Sequence, residues 1–142
     1  MNQDNHECEF EELGHTAEIG VRVWAPTAAE LFACAARAMF SLLRVPADRS
    51  AAAVARSVTV RSMDVESLLV DWLSELLYLH EVYGEIYSAV QMREWTPGAL
   101  RAQVIGWPPA GSPVLHIKAV TYHDLVVQQD AGGWSAQIYF DI

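Results

Sequence analysis

The stretch "DVESLLVDWLSELLYLHEVYG", positions 64 to 84, constrains the fold more than any other part of the sequence. Its apolar residues recur every three or four positions and form one wide stripe, the pattern of a helix that packs against another layer. The stripe consists of Leu68, Leu69, Trp72, Leu73, Leu76, Leu77 and Leu79. Asp64 is suited to cap the start of this helix, and Gly84 to take the left-handed position after its end. The sequence therefore predicts a helix from Val65 to Tyr83.

A second helix is indicated by "TAAELFACAARAMFSLLRVP", positions 27 to 46. Thr27 and Glu30 have the spacing of a capping box, in which each side chain bonds to the backbone N–H of the other residue. Pro46 closes the segment, because proline lacks the N–H that a helix interior uses. The apolar stripe of this helix consists of Leu31, Phe32, Ala35, Met39, Leu42 and Leu43.

Strand patterns occupy most of the remaining sequence. They are "CEFEEL", "GVRVWAP", "RSVTVRSM", "EIYSAVQMREW", "GALRAQVIGW", "VLHIKAVTYHDLVVQQD" and "GWSAQIYFDI". Gly132 and Gly133 separate the last two, which predicts a hairpin. Because helices are so few, we expect an α+β fold in which two helices pack on a largely antiparallel β-sheet. The length of 142 residues suits a single domain over residues 1–142.

The charge balance argues against direct binding to nucleic acid. The 18 Asp and Glu residues outnumber the nine Lys and Arg residues and give a formal net charge of -9, so the overall field repels phosphate.

No apolar run reaches the roughly 18 residues of a membrane span, because Asp71, Ser74 and Glu75 interrupt the best candidate. Cys8 and Cys34 lack metal-ligand spacing, and the first residues lack the pattern of a signal peptide. We therefore expect a cytoplasmic protein without membrane anchoring.

Two short stretches, "GHTAEIG" and "FDI", contain the acidic residues best placed for a site. Glu18 lies between the two glycines of the first, whose backbone freedom could aim its carboxylate. If the first turn and the last strand meet, Glu18, Asp141 and the main-chain oxygen of Ile142 could share one hard cation, Ca²⁺ or Mg²⁺, since such ions take oxygen ligands. Composition alone favours the alternatives, which are a solvated turn carboxylate and a frayed, hydrated chain end.

Two histidines are candidate supporting residues. His15 lies in the first turn, where it could serve as a ligand of the site, although a local hydrogen bond is the more ordinary role. In "KAVTYHDL", an unbroken strand would place His123 on one face with Thr121, and Asp124 on the other face. His123 could then carry a proton or support a metal ligand, although packing with one hydrogen-bond partner is the more ordinary role.

Five stretches together resemble the archease family. They are "FEELGHTAEIG", "AAELFACAARAMFSLL", "DVESLLVDWLSELLYL", "KAVTYH" and "GWSAQIYFDI", in the family order from Phe10 to Ile142. The resemblance implies a small cytoplasmic accessory protein, not an enzyme, that activates an RtcB-type RNA-splicing ligase. In the family the protein promotes guanylylation and multiple turnover of the ligase. That ligase joins RNA ends with a 2′,3′-cyclic phosphate or 3′-phosphate to a 5′-hydroxyl, in tRNA splicing or RNA repair.

The resemblance also implies a divalent-metal site formed by Glu18, Asp141 and Ile142. The family pattern usually reads "HTADIG", whereas this chain has Glu at position 18. The extra methylene moves the carboxylate by somewhat more than about 1 Å, which bears on metal affinity and preference. An acidic protein suits a basic ligase better than bare RNA, so RNA is expected to be reached only through the ligase.

Two other functional classes fit parts of the sequence. One is a metal-dependent hydrolase built from Glu18, His15 and Asp141, although the sequence contains no nucleophile elbow, P-loop or paired-histidine zinc helix. The other is a general chaperone or binding module for unfolded proteins or RNA.

The five tryptophans lack the interleaved basic residues of a surface that stacks nucleic-acid bases, and they are expected in the core and at its rim. Asp71 and Glu75 are expected on a solvated helix face.

Overall fold

The computed structural model describes residues 8–14 and 17–142 and contains two helices and eight strands in that range. In chain order the elements are β1 (Glu9–Gly14), β2 (Glu18–Ala25), α1 (Ala28–Ser41), β3 (Val54–Arg61), α2 (Val65–Tyr83), β4 (Ile86–Thr96), β5 (Ala99–Trp107), β6 (Ala119–Val120), β7 (Val126–Asp130) and β8 (Gly133–Asp141). The Thr27 hydroxyl accepts a hydrogen bond from the N–H of Glu30, and the Asp64 carboxylate accepts one from the N–H of Ser67. Gly84, with φ 66°, ends α2 where the sequence predicts.

The strands form two antiparallel sheets. In the first, β1 pairs with β2 and β2 pairs with β8. The other edge of β8 pairs with β7 over its first half and with β6 at its end. The second sheet has the order β3, β5, β4. Every pairing among these strands is antiparallel, so the predicted α+β class and the predicted β7–β8 hairpin are both confirmed.

The core lies where the two helices meet the sheets. α1 contacts β2 and β8 of the first sheet, β4 of the second sheet, and α2. Trp72 of α2 is fully buried, and its indole N–H donates to the carbonyl of Phe32 at 2.9 Å. Leu68, Leu69, Leu73 and Leu76 are fully buried beside it. Burying each such leucine contributes about 1.5 to 3 kcal/mol relative to exposure, so α2 serves as a packing element.

None of the described helices is long and apolar enough to cross a lipid bilayer. α2 is 19 residues long, but Asp71 and Glu75 lie exposed on its outer side. The solvated position expected for these two carboxylates is therefore confirmed.

The prediction of one long strand over "VLHIKAVTYHDLVVQQD" is wrong. The segment contains the two short strands β6 and β7, with a turn at residues 121–125 between them. Asp124 has a φ of 48°, a left-handed conformation that a continuous strand does not contain. The N–H of Leu125 bonds back to the carbonyl of Tyr122 at 3.3 Å. The strand alternation that separates His123 from Asp124 therefore does not apply.

Cys8 and Cys34 form a disulfide that ties the start of β1 to the middle of α1. Their spacing in the sequence does not indicate this bond, because pairing depends on where the fold brings the two Cα atoms. Cys34 is buried in the core, and a guanidinium nitrogen of Arg37 lies 3.5 Å from the sulfur of Cys8. Disulfides are uncommon in the cytosol of mesophiles, so this bond bears on the compartment in which the protein works.

Candidate functional site

The pairing of β2 with β8 brings the two predicted acidic stretches together. Glu18 begins β2 and lies directly opposite Asp141, the last residue of β8. Residues opposite each other in an antiparallel pair interact on the same face of the sheet. We call Glu18 and Asp141 the acidic pair. Ile142 follows immediately and its side chain packs against the core, so the alternative of a frayed chain end is wrong.

An imidazole lies beside the Glu18 carboxylate. Nε2 of His123 is 3.4 Å from Oε1 of Glu18 and 3.3 Å from Oδ2 of Asp124. The Glu18 side chain is 22% exposed and the His123 side chain is 57% exposed. The Glu18 carboxylate is therefore partly shielded from solvent.

Asp124 lies beside the site, at a position that the sequence does not predict. The unbroken strand expected there would place Asp124 on the face opposite to His123, whereas the turn places the two side chains 3.3 Å apart. The available signal was the residue type, because Asp tolerates the left-handed conformation of a turn better than most residues.

The turn that carries His123 is fastened to β8. The N–H and the hydroxyl of Thr121 both donate to the carbonyl of Tyr139 at 3.0 Å. The side-chain amide of Gln137 donates to the carbonyl of Asp124 at 3.0 Å. The Tyr139 ring also lies edge-on to the imidazole, with ring centroids 5.8 Å apart. The strand that ends at the acidic pair thus also positions His123.

Gly20 leaves the space that Tyr139 occupies. The two residues are opposite each other in the β2–β8 register, and a Cβ atom at position 20 would lie 2.7 Å from the Tyr139 ring. Positive φ values are found at Gly84 and Gly133 but at neither glycine of "GHTAEIG". The expectation that these glycines supply unusual backbone angles is therefore wrong, and Gly20 instead permits a close approach.

The acidic pair offers the donor type that a hard cation binds. The carboxylates of Glu18 and Asp141 and the main-chain oxygen of Ile142 are the oxygen ligands typical of Ca²⁺ and Mg²⁺. The carbonyl of Asp141 accepts from the N–H of Lys118 at 2.8 Å, which leaves the oxygen of Ile142 as the main-chain donor. Within residues 8–14 and 17–142, no three His, Cys, Asp or Glu side chains form a group that could hold a metal ion. A cation here would therefore need main-chain and water oxygens as well.

His15 lies outside the described residues, so its predicted supporting role stays a prediction. The other predicted site residues, Glu18, Asp141, Ile142 and His123, all lie at one end of the first sheet.

The acidic pair lies at the end of the first sheet and does not line either of two grooves in the described part of the chain. The larger groove, about 1180 Å³, is lined by Trp24 and Trp134 at the far end of β2 and β8. The residue steps from Glu18 to Ala25 span roughly 23 Å. An open sheet end is suited to contact a macromolecule, whereas small substrates are usually enclosed in a cleft.

A second charged cluster belongs to the other sheet. Glu85 is buried and accepts hydrogen bonds from Nε of Arg56 at 2.6 Å and from the hydroxyl of Tyr87 at 2.7 Å. The Arg56 guanidinium holds the pKa of Glu85 below its ordinary value, and burial raises the pKa of Tyr87. The ring of Tyr83 covers the guanidinium at 3.5 Å. These groups satisfy one another, which is typical of a structural ion pair.

Comparison with known proteins points to one family along almost the whole chain. A sequence model of the Archease protein family matches residues 10–142. Protein archease of Methanosarcina mazei is 39% identical over 140 residues, which covers 94% of this chain and 95% of that protein. Protein archease of Pyrococcus furiosus is 34% identical over 141 residues, which covers 94% and 99%.

Solved structures share the fold. The solution structure of Methanobacterium thermoautotrophicum protein 1598 matches with a TM-score of 0.64 and 26% identity, over 94% of this chain and 98% of that one. The crystal structure of an archease, possible chaperone, from Thermotoga maritima matches with a TM-score of 0.66 over 97% and 100%. At 17% identity, the second likeness concerns the fold alone.

Proposed function

The chain belongs to the archease family, and we propose that it is an accessory protein that activates an RtcB-type RNA-splicing ligase. In this proposal the chain is not itself an enzyme. The ligase joins RNA ends that carry a 2′,3′-cyclic phosphate or 3′-phosphate to a 5′-hydroxyl, in tRNA splicing or RNA repair. The accessory protein promotes guanylylation of the ligase and its multiple turnover.

The meeting of Glu18 with Asp141 is the observation that supports this proposal most. Glu18 begins β2 and Asp141 ends β8, and the register of these two strands sets the residues directly opposite each other. They are the positions at which the family resemblance implies a metal site. Their location on an open sheet end fits contact with a second protein better than enclosure of a small substrate.

Charge supports a protein partner over bare RNA. The formal net charge of -9 favours approach to a basic surface, such as the RNA-binding face of a ligase, and opposes approach to phosphates. We therefore propose that RNA is contacted only through the ligase, and that no membrane is involved.

We propose that Glu18, Asp141 and the main-chain oxygen of Ile142 hold a divalent cation, Ca²⁺ or Mg²⁺. When bound, such an ion supplies positive charge that can orient and neutralise phosphate oxygens. The role of this chain is to hold that charge at the mouth of the ligase active site. β8 carries both Asp141 and the contacts that hold His123, which supports a role in positioning groups for nucleotide transfer.

We also propose that the protein works in the cytoplasm, where its ligase would act on RNA. The bond between Cys8 and Cys34 forms there only if the local thiol–disulfide potential allows it. The acidic pair belongs to β2 and β8, and neither strand carries a cysteine of this bond.

Multiple-turnover ligation tests the proposal. The host ligase is given 3′-phosphate RNA, GTP and divalent cation, with and without this chain, which carries no tag after Ile142. We expect the chain to raise the number of ligations per ligase above one while converting no RNA by itself.

If the purified chain alone turns over a phosphoester, the hydrolase alternative replaces the proposal. If the chain leaves ligation unchanged but protects unrelated unfolded clients, the chaperone alternative replaces it. RNA binding with a steep dependence on salt would favour a direct RNA-binding module.

A further inference from the structure

We propose that Cys8 is a thiol–disulfide exchange site, at which the reduced chain forms a mixed disulfide with a small peptide thiol of the glutathione class. Cys34 then displaces that thiol and restores the internal Cys8–Cys34 bond. The inference goes beyond the proposed function and does not depend on it. Cys8 precedes Glu9, which lies opposite Trp24 at the end of β2 remote from the acidic pair.

The two cysteines of the bond have unequal environments. Cys34 is 8% exposed and belongs to the buried core, whereas Cys8 is half-buried directly before β1. Exchange with an external molecule begins at the sulfur which that molecule can reach. Cys8 is therefore the residue that reacts first, and Cys34 reacts with a sulfur that is already bound beside it.

A positive charge lies next to the Cys8 sulfur. A guanidinium nitrogen of Arg37 is 3.5 Å from Sγ of Cys8. The nucleophile in exchange is the thiolate and not the thiol, and a neighbouring arginine favours the thiolate. Arg37 follows Cys34 by three positions on α1, so the two side chains share one side of the helix. The helix that carries the second cysteine thus also carries the charge that activates the first.

The bond lies in the wall of the larger groove, whose volume is about 1180 Å³. Glu9, Cys34 and Arg37 all line this groove. They are the chain neighbour of Cys8, its bonded partner and the residue whose guanidinium contacts its sulfur. Sites for small molecules typically measure about 300 to 1,000 Å³. The groove therefore has room at the bond for a molecule the size of a tripeptide.

Side chains of both charge signs line the groove, which suits a zwitterionic peptide thiol. Glutathione carries two carboxylates and one ammonium group. Arg37 and Arg93 supply positive charge in the groove, and Glu30 and Asp130 supply negative charge. Arginine binds carboxylates through charge-assisted hydrogen bonds, and carboxylates bind ammonium groups in the same way. A charged peptide disulfide should therefore react faster here than an uncharged one.

The reaction balances with oxidised glutathione as the oxidant. The Cys8 thiolate attacks one sulfur of that disulfide, so a bond from Cys8 to glutathione forms and one glutathione thiolate leaves. Cys34 then gives its proton to water, and its sulfur attacks Sγ of Cys8. The Cys8–Cys34 bond forms and the second glutathione thiolate leaves. Two electrons pass from the cysteine pair to the glutathione disulfide, which becomes two thiols.

The test follows the reduced full chain after oxidised glutathione is added. Acid stops the reaction at set times, and mass spectrometry of the peptides locates glutathione and the Cys8–Cys34 bond. Hydroxyethyl disulfide, which is uncharged, is the comparison reagent.

Arg37→Gln removes the charge beside the Cys8 sulfur. Arg93→Gln is its matched control, because Arg93 lines the same groove but donates to the side-chain oxygens of Gln91 and Gln103. A third variant, Cys34→Ala, removes the second cysteine.

We expect glutathione to appear first on Cys8 of the wild type and to be lost as the Cys8–Cys34 bond forms, whereas in Cys34→Ala it should persist. Arg37→Gln should slow the reaction of Cys8 with the uncharged disulfide about threefold or more, and Arg93→Gln should leave that rate unchanged. Glutathione found first on Cys34, a rate that ignores Arg37, or a wild type whose thiols stay free would each overturn the inference. Equal rates with the two disulfides would overturn the assignment to the glutathione class.

Discussion

Reduction of the Cys8–Cys34 disulfide is expected to lower the free energy of unfolding by about 3.5 kcal/mol. The bond joins residues separated by 26 positions. The chain-entropy relation assigns a loop of that length about 12 cal/mol/K of lost unfolded-state entropy, which is about 3.5 kcal/mol at 25 °C. Because this effect acts on the unfolded chain, the native arrangement of β1 and α1 is expected to persist after reduction.

Urea unfolding followed by tryptophan fluorescence measures the effect, with and without a phosphine reductant. The control variant Cys8→Ser cannot form the bond, so it should match the reduced wild type and ignore the reductant. Thiol counting establishes whether the bond is present at the start. A wild type that starts with the bond and keeps its unfolding midpoint after reduction would refute the loop-entropy reasoning. A wild type that shows two free thiols after air oxidation would refute the bond itself.

Two further predictions concern the site support and the second sheet. Gly20→Ala is expected to lower the free energy of unfolding by about 1 to 3 kcal/mol, because its Cβ would meet Tyr139 at 2.7 Å, whereas nothing lies within 4 Å of a Cβ at Gly14. Equal effects of Gly20→Ala and Gly14→Ala in thermal unfolding would contradict this account. The pKa of Glu85 is lower in the folded chain than its ordinary 4.5, so its ion pair stabilises the fold above about pH 4.5 and is lost as pH falls through the folded value. In Glu85→Gln the free energy of unfolding should therefore fall less steeply than in the wild type as the pH drops below about 4.5. An equal dependence on pH in the two proteins would contradict the role of the Arg56–Glu85 ion pair.

The helices could be predicted from sequence because their determinants are local. Asp64, the apolar stripe and Gly84 lie within one segment, and together they specify both ends and the buried face of α2. Thr27 does the same for the start of α1. The antiparallel hairpin of β7 and β8 likewise follows from the glycine pair between two strand patterns.

The features that could not be predicted depend on contacts between distant segments. Strand-like residues continue through "KAVTYHDL", so the sequence gives no sign of the turn that Thr121 and Gln137 fasten to β8. The disulfide depends on β1 lying against α1, which no spacing of two cysteines encodes.

The proposed metal site falls between these cases. The acidic pair is predictable only on the condition that the first turn meets the last strand, and the β2–β8 register supplies that condition. The contact between His123 and Glu18 needs both that register and the unpredicted turn, so it emerges only from the structure.

Transfer of label from GTP to the ligase shows whether the acidic pair is needed for activation. The host ligase is incubated with wild type, Glu18→Ala, Asp141→Ala, or the control Glu75→Ala, whose carboxylate is exposed on α2. We predict that wild type and Glu75→Ala accelerate label transfer equally, while the two acidic-pair variants remain folded but do not accelerate it. Full acceleration by folded Asp141→Ala would contradict the account.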